Sequence, residues 1–202
     1  MLSYNEYLFL AIAYLLGSVA FGVIITRLLG LGDITKKGSG NIGATNVVRV
    51  AGKKIGGIVF LLDFLKGLLP AFIYKSFLLS SETSVALYLI AFASVIGHIL
   101  PIWHKFKGGK GVATGFGAIL AIDYILFLIA ILLWIITYKL SKISSASALV
   151  SYGLIPFIGF AMHQNNFFLI SFLMSLSAII FYKHIPNIKR LLNGEEKPFR
   201  KN

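Results

Sequence analysis

Residues 112–142 read VATGFGAILAIDYILFLIAILLWIITYKLSK, and whether this stretch crosses a bilayer once or twice decides the topology of the whole chain. Residues 112–121 are apolar or small, but as a helix they extend only about 15 Å, half of the roughly 30 Å of hydrocarbon. Residues 124–138 form a longer apolar run, and Asp123 stands between the two. One reading joins them into a single span broken near Asp123. The other gives two crossings, the first short and tilted or partly re-entrant.

The surrounding charges choose between these readings. Further apolar segments cover residues 4–29, 55–72, 85–103, 146–162 and 167–182. Short loops rich in Lys and Arg stay on the cytoplasmic side. Six such cations lie within 27–54, three within 104–110, two within 139–142 and six within 183–202, leaving only Lys66 and Lys75 elsewhere. With seven crossings and the N-terminus outside, all seventeen loop cations lie inside, and the outer turns keep Glu6, Lys75, Glu82 and Asp123. With one span over 112–138, Lys139, Lys142 and the C-terminal cations all fall outside. The expectation is an all-α, polytopic integral membrane protein of about seven transmembrane helices, with its C-terminus cytoplasmic. It forms one domain over residues 1–202, ending in a frayed polar tail over 193–202.

Composition agrees with a bilayer protein. The chain of 202 residues is 57% hydrophobic and 13% charged, with mean hydropathy +0.86, whereas a soluble domain carries about 25% charged residues. A net charge of +12 fits cytoplasmic loops or an anionic ligand better than nucleic acid. Cysteine is absent, which excludes disulfides, thiolate nucleophiles and thiolate metal sites. The first apolar segment has no positive region before it, so it reads as a retained span rather than a cleaved signal. No repeat of 20 to 50 residues and no low-complexity tract is visible.

The polar chemistry gathers in three of the inside segments. The first, residues 36–49, reads KKGSGNIGATNVVR and contains a literal GxGxxG, with Asp63 twenty residues beyond Gly43. A dinucleotide fingerprint needs a preceding strand and a sheet, whereas this run follows an apolar span and Asp63 sits inside the next one. The mechanics survive without the fold. Glycines Gly38 and Gly40 let backbone N–H groups approach an anion; Ser39, Asn41, Thr45 and Asn46 supply neutral hydrogen bonds, and Arg49 a fixed charge. A flexible loop with glycine turns and a positive-inside arginine would have the same composition.

The second segment, residues 97–114, reads GHILPIWHKFKGGKGVAT. It is not a Walker A loop, because Gly111 rather than Ser or Thr follows Lys110. The glycines Gly108, Gly109 and Gly111 with Lys107 and Lys110, opening into an apolar helix, place cations and N–H groups together as phosphate requires. A positive-inside anchor is the plain alternative. His98 and His104 are six apart across Pro101, which suits packing or hydrogen bonding rather than a metal pair. The third segment, residues 183–196, reads KHIPNIKRLLNGEE. If Pro186 opens a short helix, Asn187 and Arg190 share a face with His184 just before it, and Gly194 ends the helix. A basic amphipathic stub on anionic lipid is the alternative here. Asp63 and Lys66, one turn apart within a span, are functional candidates by default or a self-neutralising pair.

GSGNIGATNVVR, DFLKG, GHILPIWHKFKGGKGVAT and HIPNIKRLLNGEE, in this order over nearly the whole chain, resemble the acyl-phosphate:glycerol-3-phosphate acyltransferases of bacteria, the PlsY family. The resemblance implies a multi-pass enzyme of the bacterial cytoplasmic (inner) membrane with its active site on the cytoplasmic side. It implies transfer of a fatty acyl group from acyl phosphate to the sn-1 hydroxyl of glycerol 3-phosphate, giving lysophosphatidic acid and phosphate, the first acylation of phospholipid synthesis. Residue by residue it places Gly38, Ser39, Gly40, Asn41, Thr45, Asn46 and Arg49 in the substrate site. From the second motif it adds Lys107, Gly108, Gly109, Lys110 and Gly111, and from the third His184, Asn187, Arg190 and Glu196. Ser39, Arg49, Lys110, His184 and Asn187 are the expected catalytic set. Ile185-Pro186 stand where the family more often has polar residues, and the Gly-x-Glu pattern selects Glu196 over Glu195.

The implied chemistry matches the residues at hand. An acyl phosphate is already an activated mixed anhydride, so the protein need supply only position and charge, with no cofactor and no metal. The expected partners are acyl phosphate, glycerol 3-phosphate and membrane lipids, with no nucleic acid. The hydroxyl proton can go to His184 as general base or to a substrate phosphate oxygen. The second is the expected route, with His184 holding Asn187 or a phosphate oxygen. An organic-phosphate transporter or permease would use the same cations, but such proteins place their sites near the midplane in broken helices. The topology is testable because native cysteine is absent. Single cysteines at Ser39, Gly108 and Asn193 are expected to react with impermeant thiol reagents only from the cytoplasmic side. Labelling at 193 from outside would refute seven crossings.

Overall fold

The computed structural model describes residues 2–78, 84–196 and 198. Glu82 of the expected outer turn and positions 197 and 199–202 of the expected tail lie outside the described residues. All regular structure among the described residues is helical, and the chain divides into two compact units, Met1–Ile122 and Asp123–Asn202.

The first unit holds α1 (Tyr4–Gly17), α2 (Phe21–Leu28), α3 (Ala44–Phe77), α4 (Val85–Ile99) and α5 (Val112–Ile122). A capping box starts α1: Ser3 and Glu6 exchange hydrogen bonds between side chain and backbone, which satisfies N–H groups that would otherwise lack partners. The first apolar segment, expected as one span, is interrupted between Gly17 and Phe21, and α3 kinks where Gly52 takes φ +85°. Helices in lipid gain little from the hydrophobic effect and associate through close approach at small residues. That rule sets the packing here. A Cβ on Gly67 of α3 would lie 2.0 Å from the Thr114 carbonyl oxygen of α5, and one on Gly117 of α5 would lie 2.0 Å from that of Phe64. Gly17 and Gly97 join α1 to α4 in the same way, facing the backbone of Ser94 and Tyr14.

The second unit holds α6 (Tyr124–Ser141), α7 (Ser144–Met162), α8 (Phe167–Lys183) and α9 (Ile185–Leu192). Asp123 is the N-cap of α6, its side chain accepting from the Leu126 N–H at 2.8 Å. The polar residue that divides the 112–142 stretch therefore starts a new helix. Buried hydroxyls tie the helices: Ser151 donates to the Ala130 carbonyl at 2.7 Å, and Ser177 donates to that of Tyr152.

Among the described residues, five helical stretches are long and apolar enough to cross a membrane, reckoning residues 4–28 and 85–104 each as one, or six if α8 and α9, bent by 63°, form one span. All seven apolar segments of the sequence contain a helix, but α5, at 11 residues, rises only about 16 Å. Because no cavity exists where Gly117 meets Phe64, Gly117→Val is expected to destabilise by about 1–3 kcal/mol through overpacking. Gly57, exposed with open space around it, should accept alanine with an unchanged or slightly higher melting temperature. Thermal unfolding in detergent micelles checks both; equal melting of the two variants would contradict glycine-dependent packing.

Candidate active site

In the first unit, the loop before α3 folds around one side chain. Asn46 is buried, and its Nδ2 donates to the carbonyls of Lys37 (2.9 Å), Asn41 (2.9 Å) and Ile34 (3.3 Å), while its Oδ1 accepts the Ser39 N–H at 2.7 Å. Gly38 and Gly40 take φ +60° and +73°, and a Cβ on Gly38 would stand 2.2 Å from Asn46 Oδ1. Asn41 Oδ1 accepts from the Gly43 N–H at 2.9 Å, an Asx turn that delivers the chain to the α3 N-terminus at Ala44. The side chains of Asn41 and Asn46 thus build the loop, whereas Ser39 and Arg49 are exposed and Thr45 is half-buried. The N-terminus of α3 adds the positive end of its dipole. No strand precedes the GxGxxG run among the described residues, so the dinucleotide reading has no scaffold.

The second loop follows α4. Lys105 and Phe106 take left-handed φ values of 52° and 58°, and Gly111, at φ +84°, turns the chain into α5. The glycine pair lies on His98: the Gly109 N–H donates to the His98 carbonyl at 3.1 Å, and Cβ atoms at 108 and 109 would meet His98 at 2.1 and 2.0 Å. Close approach to this histidine therefore requires both glycines. Lys107 is exposed and Lys110 half-buried. Asp63 and Lys66 pair at 2.8 Å, as the self-neutralising reading expects, and His98 Nδ1 lies 3.6 Å from the same carboxylate oxygen. The sequence did not reveal that third member.

In the second unit, α9 begins as expected with Pro186 in its first turn. His184 sits at the bend, buried, with Nδ1 at 2.8 Å from the Ile180 carbonyl. A carbonyl only accepts, so Nδ1 carries the proton of this bond. Gly194 takes φ +69° and the chain folds back, the N–H groups of Glu195 and Glu196 reaching the Arg190 carbonyl. Residues 193–196 of the tail expected to fray are thus held in place. The Glu196 carboxylate accepts from Asn187 Nδ2 (2.6 Å), Ser145 Oγ (2.8 Å) and Arg190 Nε (2.5 Å). Burial favours its neutral form, but those three hydrogen bonds and the Arg190 charge prevail and hold it below the ordinary glutamate range. Glu196 orients Asn187 and Arg190. Ser145 was missed by sequence reasoning; its only signal is the hydroxyl cluster Ser144, Ser145 and Ser147 opening α7.

Among the described residues, no three His, Asp or Glu side chains gather as a metal ligand set. Residues 7–194 match the protein family described as glycerol-3-phosphate acyltransferase. The chain is 44% identical over 187 residues to the glycerol-3-phosphate acyltransferase of Sinorhizobium medicae, covering 93% of this chain and 89% of that one. It is 42% identical to the enzyme of that name from Brucella canis, over 93% of this chain and 90% of that one. Its fold is similar to the crystal structure of PlsY, an integral membrane glycerol 3-phosphate acyltransferase, in its glycerol 3-phosphate form. The TM-score is 0.91 and the identity 38%, over 97% of this chain and 96% of that one. The lysophosphatidic acid form of PlsY is similar with a TM-score of 0.86, covering 96% and 95% of the two chains.

The clamp at Glu196 gives a pH signature. A carboxyl with a lowered folded-state pKa contributes stability that is present above its unfolded value, 4.5 for glutamate, and is lost as pH falls through the folded value. Glu196→Gln should melt lower than wild type at pH 7, and the gap should close as pH drops below 4.5. A gap constant down to pH 3 would contradict the clamp.

Proposed function

The chain belongs to the glycerol-3-phosphate acyltransferase family, and from that premise we propose how its residues carry the reaction. It is a membrane acyltransferase for glycerol 3-phosphate, and its product is lysophosphatidic acid. We take the donor to be acyl phosphate and the acceptor to be the sn-1 hydroxyl. The observation that carries this reading is the likeness over almost the whole chain to a PlsY structure in its glycerol 3-phosphate form. That relatives bear the name of an acyltransferase supports the enzyme over an organic-phosphate transporter.

In the proposed step the sn-1 hydroxyl oxygen attacks the acyl carbonyl carbon. The ester C–O bond forms, and the bond from that carbon to the bridging phosphate oxygen breaks, its electron pair leaving with phosphate. The hydroxyl proton passes to a phosphate oxygen of the substrate. No acyl-enzyme is needed, because the mixed anhydride is already activated. Arg49, Lys107, Lys110 and Arg190 neutralise phosphate charge as it develops. Ser39, Thr45 and the N–H groups around Gly38, Gly40, Gly108, Gly109 and Gly111 add hydrogen bonds. Arg190 Nε is engaged by Glu196, so it would meet phosphate through its Nη donors. Asn41 and Asn46 act by shaping the first loop, Glu196 by aiming Asn187 and Arg190. The His184 ring, tied to the last turn of α8, supports a holding role at the α8–α9 bend.

The cation distribution supports seven crossings with α5 as the short one, N-terminus outside and the loops facing the cytoplasm, and membership of the family supports the inner membrane of a bacterium as its location. The experiment offers purified, lipid-reconstituted protein glycerol 3-phosphate with acyl phosphate or with acyl-CoA. Lysophosphatidic acid is expected from acyl phosphate alone; equal turnover would refute the donor. Arg49→Ala, Lys110→Ala and Arg190→Ala should each lose about 30- to 1000-fold, the loss of about 2–4 kcal/mol at a developing anion. Lys142→Ala should stay near wild type, and comparable damage there would refute the assignment.

A further inference from the structure

We propose that Asp63 and His98 are positioning residues for the acyl transfer, a buried pair that fixes the second glycine loop where Lys110 presents its charge; this rests on Lys110 binding phosphate. Ionisable groups inside a membrane span are expensive and persist where they do something. Asp63 and Lys66 are 2% and 6% exposed. If mutual neutralisation were their whole purpose, their contacts would end with each other, and they do not. The Lys66 ammonium also donates to the Val19 carbonyl at 2.7 Å, in the break between α1 and α2, and stands 5.6 Å from the centre of the Phe21 ring. The Asp63 carboxylate also faces His98 Nδ1 at 3.6 Å.

His98 faces the acid on one side and the loop on the other. Its carbonyl holds the Gly109 N–H at 3.1 Å. Its Nε2 lies against Gly109 so closely that a Cβ there would come within 2.0 Å of it. Removing or turning this imidazole takes away the floor under residue 109, and Lys110 is the next residue. Beyond it, Gly111 turns into α5, whose Thr114 carbonyl is packed against Gly67, the residue after Lys66. The Lys110 segment is thus pinned on both sides by groups that α3 holds, and a shift of about 1 Å in a charged group at a reacting centre can cost about 10²-fold.

A double-mutant cycle in the full-length reconstituted enzyme tests this. His98→Gln, which leaves the Asp63–Lys66 pair intact, is expected to lose about 10- to 100-fold in kcat/KM with little change in melting temperature. In a Lys110→Ala background it should cost less than about twofold further, because residues acting through one another are not additive. Asp63→Asn leaves the buried Lys66 ammonium without its counter-charge and should melt lower, but in the protein that folds its loss should likewise fail to multiply with that of Lys110→Ala. His98→Gln near wild type, or a loss that multiplies fully with that of Lys110→Ala, would overturn the inference and leave the proposed function standing. Lys110→Ala near wild type would instead overturn the phosphate role on which it rests.

Discussion

Close backbone approach at glycine is the constraint on which the first unit depends. Lipid offers helices no hydrophobic gain for leaving it, so association must come from packing and hydrogen bonds. Gly67 and Gly117 bring α3 against α5, and Gly17 and Gly97 bring α1 against α4. Those contacts place the ends of α4 and α5, and the loop between these ends carries Lys107 and Lys110. Gly22 of α2 does the same for the first loop, since a Cβ there would lie 1.9 Å from the Ile42 carbonyl oxygen. The rigidity that catalysis by charge requires comes from helix contacts with no room for a methyl group.

The chemistry asks for little else. A mixed anhydride brings its own activation, so the protein has no need of cysteine, metal or cofactor for the proposed step. The proposed step asks the protein to hold two phosphates together against their repulsion, for which cations and N–H groups of fixed direction are suited. Each polar segment solves part of this with its own internal scaffold. Asn46 organises the first loop, His98 underlies the second, and Glu196 aims the side chains of the third. On the proposed assignment, the groups that would face ligand and the groups that hold the loops are different residues of the same short motifs.

Much of this was legible in the sequence. Apolar length located the helices, and Asp123 marked the start of α6 because a carboxylate between apolar runs is a ready N-cap. Pro186 marked α9 because its missing N–H costs nothing in a first turn. The break between α1 and α2 was hidden, since residues 17–21 are apolar or small on both sides and the Lys66 ammonium that serves the Val19 carbonyl is 47 positions away. The division of labour among asparagines was hidden too: Asn41 and Asn46 have the composition of ligand donors, and only their geometry shows them spent on backbone. Ser145 reaches Glu196 across 51 positions, beyond any local pattern.

The central claim is that these loops position and neutralise, and that the acyl group passes directly between substrates. Intact-mass spectrometry of the enzyme, quenched after mixing with acyl phosphate in the absence of glycerol 3-phosphate, tests it most directly. The account predicts an unmodified protein of 22.1 kDa that forms lysophosphatidic acid as soon as glycerol 3-phosphate is added. An acyl adduct on Ser39 or any other side chain, discharged by glycerol 3-phosphate at the rate of turnover, would contradict it.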